Sequence, residues 1–214
     1  MRLIIRDIKK KFDEITVLNR AGYDFESGIV YGIAGARGSG RTTLLKCICT
    51  ECVPDSGYVC LDTGIDIRKA DYMDFGIVYD KPVLPEMLTG NQYIRYMLRL
   101  HEVGAEDTAE YFRLAGISDE LMDEYIGNYS DDEKQRLQFA GIMITSPAVI
   151  LIDEPKSGGR NNEMLKALVD RMKRTHIIII TSDEGELPDG LVDELVLLKG
   201  GVLSGSRLQE RQHA

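Results

Sequence analysis

Residues 35–43 read GARGSGRTT, and the types and spacing of these residues suit the binding of phosphate groups. The pattern that cradles nucleotide phosphates is a glycine, four residues of any type, a second glycine, a lysine, and then serine or threonine. Gly35, Gly40 and Thr42 fit this pattern, but Arg41 stands at the lysine position. In such a loop the backbone N–H groups point at phosphate oxygens, and the threonine hydroxyl can bind Mg²⁺. The alternative is a tight glycine-rich turn without a ligand.

A second group of chemically useful residues follows an apolar run at 149–152, where the sequence VILIDEP ends in two carboxylates. A strand here would carry Asp153 and Glu154 to the carboxyl edge of a sheet, where open α/β sheets bind ligands. Asp153 is the expected partner of Mg²⁺, and Glu154 is placed to orient or deprotonate an attacking water. The alternative is an ordinary acidic strand end.

These residues need an alternating α/β framework to position them, and the chain alternates strand-like and helix-like segments. Apolar, β-branched runs predict strands at residues 29–35, 58–61, 75–80, 148–155 and 176–183. A helix begins directly after the glycine loop, and residues 163–174 have the apolar spacing of a crossover helix. Residues 86–128 show helical patterns and no convincing strand. The sequence therefore predicts an α/β core that carries a helical insertion.

Composition restricts the classes of function. The 214 residues carry a net charge of −9, which argues against broad nucleic-acid binding because that depends on lysine and arginine. No apolar run approaches the roughly 18 residues that span a bilayer, and the N-terminus is too charged for a signal peptide. We expect a cytoplasmic protein.

Cys47, Cys49 and Cys52 are expected to be reduced, mostly buried thiols, with a metal site as the alternative.

With both motifs in place, the chain resembles the ATP-binding subunits of ABC transporters, in the family's order and along nearly its whole length. The other segments that carry the resemblance are KKFDEITVLN (10–19), PDSGYVCLDTGIDI (54–67), YSDDEKQRLQFA (129–140) and VLLKGGVLSGS (196–206). The resemblance implies a P-loop NTPase fold of ABC type. Its mixed α/β core would comprise residues of about 1–83 and 146–214, with a small antiparallel β subdomain, and the helical subdomain would be at about 84–145.

The resemblance also implies ATP and Mg²⁺ as ligands. Phe12 corresponds to the aromatic residue that stacks on adenine, and Glu154 is the candidate catalytic base. The residues expected to bind nucleotide are Phe12, Gly35, Ala36, Arg37, Gly38, Ser39, Gly40, Arg41, Thr42 and Thr43. The residues expected to bind the metal are Thr42, Asp80 and Asp153.

Several positions depart from the family pattern. Arg41 replaces the lysine, and the forked guanidinium is not interchangeable with an ammonium at a tight phosphate site. Asp80 replaces a glutamine, although a carboxylate can still bind Mg²⁺. Ser182 stands at the position of a catalytic histidine and cannot carry positive charge towards a γ-phosphate. Gly159 and Arg160 replace a Leu-Asp pair, so a carboxylate usually placed at the dimer interface is absent.

The signature segment departs most strongly. The family's Ser-Gly-Gly opens a helix that presents a hydroxyl and bare N–H groups to ATP held by the opposite subunit. Here Ser130 is followed by Asp131, Asp132 and Glu133, which predicts a well-capped helix start. As an anion site it is poor, because two unit charges about 5 Å apart repel by roughly 3 kcal/mol at an effective dielectric near 20.

Two classes of function remain open, and a non-transport role for an isolated ABC domain is a weaker third option. One is the ATPase subunit of a membrane transporter, and the other is a degenerate subunit that supports a competent partner. The implied partners are a transmembrane subunit and a second ATP-binding subunit, with a heterodimer favoured over a homodimer. The chain would then be cytoplasmic and peripheral to the membrane through its partner.

Overall fold

The computed structural model describes residues 1–102, 104, 108–155, 159–187 and 190–207. Residues 156–158 and the side chain of Arg160, in the segment where the Leu-Asp pair is replaced, lie outside the described part. The strands are β1 (Arg2–Phe12), β2 (Ile15–Glu26), β3 (Val30–Ala34), β4 (Ser56–Asp62), β5 (Ile67–Lys69), β6 (Phe75–Val78), β7 (Val149–Asp153), β8 (Ile177–Ser182), β9 (Glu194–Lys199) and β10 (Val202–Arg207). The α-helices are α1 (Arg41–Ile48), α2 (Gly90–Leu100), α3 (Thr108–Leu114), α4 (Asp131–Thr145) and α5 (Gly159–Met172).

The central layer is a six-stranded sheet in the order β10-β9-β3-β8-β7-β6. The four pairs from β9 to β6 are parallel, and β10 pairs antiparallel with β9 at one edge. Every residue of β3, β7 and β8 is buried. Such continuous burial explains why these strands read as unbroken apolar runs, because helices or a second sheet cover both faces of a parallel sheet.

Alternate residues of the central strands enter two separate hydrophobic clusters. Ile150 and Ile178 pack into a cluster with the side chains of α2 to α5. Leu151 and Ile179 point the other way and pack with α1 and the second sheet. The period of two along each strand therefore divides the core into two layers.

The second sheet is antiparallel and has the order β2-β1-β4-β5. Its inward residues, including Leu3, Ile5 and Phe25, belong to the cluster that contains α1. The segments at 54–67 and 196–206, which carry the resemblance, contain the antiparallel strand pairs β4–β5 and β9–β10. The long strands β1 and β2 were missed by the strand prediction, because a surface sheet shows weaker apolar runs than a buried one.

Helices α2, α3 and α4 fall between β6 and β7 in the chain, as the predicted insertion requires. Thr89 with Gln92 caps α2, and Ser130 with Glu133 caps α4, each as a capping box. None of the helices that the structure describes is long and apolar enough to span a bilayer. The predicted α/β architecture, with a mixed sheet and a small antiparallel sheet, is confirmed.

Candidate functional site

Three neighbouring parallel strands carry the predicted site residues to one edge of the central sheet. The register pairs Ala34 of β3 with Ser182 of β8, and Asp153 of β7 with Thr181 of β8. The glycine loop therefore leaves the sheet beside the ends of β8 and β7. This is the edge at which open α/β sheets bind ligands.

The glycine loop depends on its glycines. Gly38 and Gly40 have φ angles of 81° and 100°, which side chains rarely tolerate. A Cβ on Gly35 would lie 2.5 Å from Ser39 Oγ and 2.8 Å from the carbonyl oxygen of Leu198. The N–H of Ser39 donates to the carbonyl of Ala36 at 2.9 Å and closes a turn. Residues 36–38 are exposed, so the loop is open to a ligand from solvent.

Thr42, Asp153 and Thr181 form a hydrogen-bonded group beneath the loop. The hydroxyl of Thr42 donates to Asp153 Oδ2 at 2.9 Å, and the hydroxyl of Thr181 donates to Asp153 Oδ1 at 2.7 Å. Burial of Asp153 raises the pKa of its carboxyl, and the charges of Glu154 and Asp80 act in the same direction against the two hydroxyl donors. Asp153 is thus a nearly buried carboxylate in a negative field, a position that favours binding of a cation.

Arg41 stands at the position of the family lysine, but its guanidinium pairs with two carboxylates of the protein instead of being free for a phosphate. Its side chain is only 4% exposed, and its Nη2 donates to both Glu154 and Asp183. Although burial opposes the charge, these carboxylates raise the pKa of Arg41. Arg41 therefore forms an ion-paired cluster with Glu154 and Asp183, which we call the arginine cluster.

The arginine cluster leaves buried donors unused. In the described ranges, six buried side-chain nitrogen or oxygen atoms lack a hydrogen-bond partner within the protein. Three of them are Ser39 Oγ, Arg41 Nε and Arg41 Nη1. Because buried polar groups are nearly always hydrogen-bonded, these atoms indicate a place for a polar ligand or water at the loop.

Glu154, the predicted catalytic base, has an unusual backbone. Its φ angle is 45°, in the left-handed region that disfavours residues other than glycine. Its N–H lies 3.2 Å from both the carbonyl and the hydroxyl oxygen of Thr181, which hold the turn after β7. Such strain costs about 1–3 kcal/mol and is concentrated at functional sites.

Four predicted residues, Thr42, Asp80, Asp153 and Glu154, line one cavity of about 780 Å³. The cavity extends from the sheet edge towards α2 and α4. The described part of the chain holds no group of three or more histidine, cysteine, aspartate or glutamate side chains arranged to bind a metal. Mg²⁺ at this site would therefore depend on phosphate oxygens for several ligands, as it commonly does in nucleotide sites.

Phe12 lies at the end of β1, and its side chain is 49% exposed. The ammonium of Lys10 lies 5.2 Å from the centre of its ring. The same hairpin reaches the loop, because a Cβ on Gly40 would lie 2.7 Å from Val17 Cγ1 of β2. An exposed ring on an element that contacts the loop suits stacking on a base, and its role stays a prediction.

The signature segment has the geometry of an ordinary capped helix. The hydroxyl and N–H of Ser130 donate to Glu133 Oε2 at 2.7 and 2.8 Å, and the N–H of Glu133 lies 3.3 Å from Ser130 Oγ. Partial burial opposes ionisation of Glu133, but these hydrogen bonds lower its pKa. Asp131 and Asp132 are exposed in the first turn. The predicted N-cap and capping box are confirmed.

Two of the cysteines that follow the glycine loop belong to the hydrophobic core. Cys47 and Cys49 are buried, and burial raises the pKa of their thiols to about 12 and about 11. These two residues therefore act as small apolar side chains of the core.

The fold and the sheet-edge site define a P-loop type of α/β nucleotide-binding domain, and comparisons with known proteins identify the family. Residues 18–157 match the model of the ABC transporter family. The chain belongs to the ABC transporter family, and its fold is that of the family's ATP-binding domain.

Curated relatives are similar over most of this chain. The sulfate/thiosulfate import ATP-binding protein CysA of Synechocystis is 27% identical over 94% of this chain, which spans 59% of that relative's length. The L-cystine import ATP-binding protein TcyC of Bacillus subtilis is 26% identical over 94% of this chain and 88% of its own length. A dimeric ATP-binding cassette, MJ0796, bound to ADP and phosphate, has the same fold, with a TM-score of 0.82 and 19% identity over 96% of this chain and 98% of that one.

One functional residue was missed in the sequence. Asp183 directly follows the end of β8, whereas Glu154 directly follows the end of β7. The carboxylates of both residues pair with Arg41. The available signal was the place of Asp183 after the apolar strand at 177–182, because neighbouring parallel strands end at the same edge. Ser182 itself is buried at the end of β8.

Proposed function

We propose that this chain is the ATP-binding subunit of an ABC-type membrane transporter, in which binding of ATP with Mg²⁺ is coupled to transport. The observation that carries the proposal is the 2.9 Å hydrogen bond between Thr42 of the loop and Asp153 of β7. It places the hydroxyl that follows the glycine loop against the strand-end carboxylate. These are the two protein groups that hold Mg²⁺ in P-loop NTPases.

The loop fits the phosphates of a nucleotide. Gly38 and Gly40 adopt backbone conformations that only glycine tolerates well, and the buried oxygen of Ser39 has no partner within the described protein. Residues 35–43 would hold the phosphates through backbone N–H groups at the start of α1. Phe12 would stack on the adenine.

The metal position also fits. Thr42, Asp153 and Asp80 offer the hard oxygen ligands that Mg²⁺ prefers. The hydroxyl of Thr181 donates a hydrogen bond to Asp153 and orients its carboxylate. Bound Mg²⁺ would supply charge neutralisation at the phosphates. Glu154 would orient or deprotonate the attacking water from the same edge of the sheet.

Calorimetric titration with MgATP tests this function. We expect binding to the purified chain and a clear loss of affinity in Thr42→Val, which keeps the shape but removes the hydroxyl. Thr175→Val is the matched control, because Thr175 is exposed and precedes β8, at the opposite edge of the sheet from the glycine loop. Absence of any binding at millimolar ATP would overturn the proposal.

A second candidate function has its own support. The ion pair between Arg41 and Glu154 engages the only strong candidate for the catalytic base, and Ser182 lacks the charge of the family histidine. These features favour a catalytically degenerate subunit that pairs with a competent ATPase. Removal of one preorganised donor typically lowers the rate by about 10²–10³.

A steady-state phosphate-release assay separates the two candidates. The degenerate subunit would show no release above the Glu154→Gln variant, whereas an active subunit would release phosphate in a way that this substitution abolishes.

Co-purification from membrane extracts tests the proposed partners. We expect the chain to co-purify with a multi-span transmembrane subunit and a second, different ATP-binding subunit, on the cytoplasmic side of the membrane.

We propose the division given by the sequence, with a core of residues 1–83 and 146–214 and a helical subdomain of about 84–145. In support, α2, α3 and α4 pack on one another, and α4 alone of the three also packs extensively against β6 and α5. The helical part is thus joined to the core mainly through α4.

A further inference from the structure

The arginine cluster occupies the lysine position of the glycine loop, so its charges bear on which nucleotide the loop would bind. Arg41, Glu154 and Asp183 come from three different elements and meet at the end of the glycine loop. In P-loop sites the backbone cradle serves the α- and β-phosphates, and the lysine reaches the β- and γ-phosphates. Here the cation at that position is already engaged by two carboxylates.

We propose that Arg41 and Asp183, together with Glu154, set the nucleotide preference of this site and favour a nucleoside diphosphate over the triphosphate. The proposal rests on the function proposed above and adds a specificity-determining residue, Asp183, to that site. The cradle for the first two phosphates is intact. The position of the third phosphate is the one that the cluster changes.

The charges around the cluster support this preference. One buried guanidinium faces the carboxylates of Glu154 and Asp183, whose side chains are 42% and 39% exposed. Asp153 and Asp80 line the same cavity as Glu154 and add further carboxylates near the cluster. A γ-phosphate would therefore meet the carboxylates of Glu154 and Asp183 and would compete with both of them for Arg41.

The unused donors explain why a nucleotide can still bind. Arg41 Nε and Nη1 are buried without a partner in the described protein, while Nη2 holds both carboxylates. These two donors remain for phosphate oxygens without breaking the cluster. A diphosphate would leave both ion pairs of Arg41 intact, whereas a triphosphate would gain full contact with Arg41 only by displacing a carboxylate.

The test compares affinities for ADP and for a non-hydrolysable ATP analogue, both with Mg²⁺, in the full chain. Calorimetry gives the ratio of the two dissociation constants for the wild type, Asp183→Asn and Glu184→Gln. Glu184 is an exposed neighbour, so its variant removes the same charge from the same turn without touching Arg41. A ratio measured on one variant is independent of any loss of folded protein.

We expect the wild type to bind ADP more tightly than the analogue. Asp183→Asn should shift the ratio towards the analogue by about fivefold, the upper value for a partly exposed ion pair, and Glu184→Gln should leave it unchanged. Equal ratios in the two variants, or a wild type that prefers the analogue, would overturn this inference and leave the proposed function standing. Failure of every variant to bind either nucleotide would overturn both.

Discussion

At the scale of single residues, the arginine cluster shows how one substitution changes a site without removing it. Arg41 keeps the charge of a lysine, but its planar fork reaches Glu154 and Asp183 and satisfies them both. Under the proposed function, the loop, Thr42 and Asp153 would hold the phosphates and the metal, and the arginine cluster would engage the candidate catalytic base. Binding and hydrolysis would then depend on different residues, which mutation can separate.

Replacement of Arg41 by methionine should destabilise the protein. The variant keeps much of the buried volume but leaves Glu154 and Asp183 close together without a cation. Because both carboxylates stay partly exposed to water, we expect a loss of about 1–2 kcal/mol, less than for a fully buried pair. Urea denaturation measures it, with exposed Arg37→Met on the same loop as control. Equal changes in the two variants would show that the cluster contributes nothing to stability.

Asp153→Asn should have the opposite effect. Burial raises the pKa of this carboxyl in the folded state, so between the unfolded and the folded pKa the native protein binds more protons than the unfolded chain. Stability from this group is therefore lost as pH rises from the ordinary aspartate range through the raised pKa. At neutral pH the variant should melt at a higher temperature than the wild type, and the gain should vanish in acid. Thermal scans across pH measure this, and a variant that melts lower at neutral pH would contradict it.

At the scale of elements, the start of α4 is the clearest example of local chemistry that deviates from the family. Ser130 and Glu133 satisfy each other's backbone N–H groups, so the helix is stabilised without any ligand. A helix start in this family normally offers those groups to a nucleotide. The segment has thus gained a strong cap where an open anion site would stand.

Ser130→Ala should lower the free energy of unfolding by about 1 kcal/mol, the usual cost of removing an N-cap. The matched control is Ser118→Ala, since Ser118 precedes the short 3₁₀ helix Asp119–Leu121 and its side chain makes no capping hydrogen bond. We expect the control to change stability by less than about 0.5 kcal/mol. Denaturant titration of both variants measures the difference, and similar losses would argue against the capping role.

At the scale of the whole molecule, the acidic helix start leads to a prediction about assembly. In the family, each ATP lies between the glycine loop of one subunit and the signature of the other. A homodimer would place Asp131 and Asp132 against both bound nucleotides, so ATP should not close it. A partner with a regular signature would avoid this repulsion at the loop of the present chain.

We therefore predict that MgATP does not dimerise this chain, even when Glu154→Gln blocks hydrolysis. In that background, changing Asp131 and Asp132 to glycine should restore part of an ATP-dependent dimer, because charge and bulk are both removed. Changing Asp119 and Glu120 to glycine is the control, since both are exposed and acidic at another helix start. Light scattering with and without MgATP gives the result. A clear dimer with both aspartates intact would refute the electrostatic argument.

The sequence by itself determined the framework of this protein. The apolar runs at 149–152 and 177–180 are uninterrupted because they are buried on both faces, and the glycine spacing at 35–40 follows from a backbone that only glycine adopts. The cap at Ser130 is equally local, since both partners lie within one turn. Local periodicity and short-range hydrogen bonding need no tertiary information.

Only the tertiary structure decided which charges meet. Arg41 and Glu154 are 113 residues apart in the chain, and Arg41 and Asp183 are 142 apart. Their pairing depends on the strand order β3-β8-β7, which brings three distant segments to one edge. The sequence places Arg41 in the glycine loop but does not identify its ion-pair partners. Those partners depend on which side chains the folded sheet brings within reach of the guanidinium.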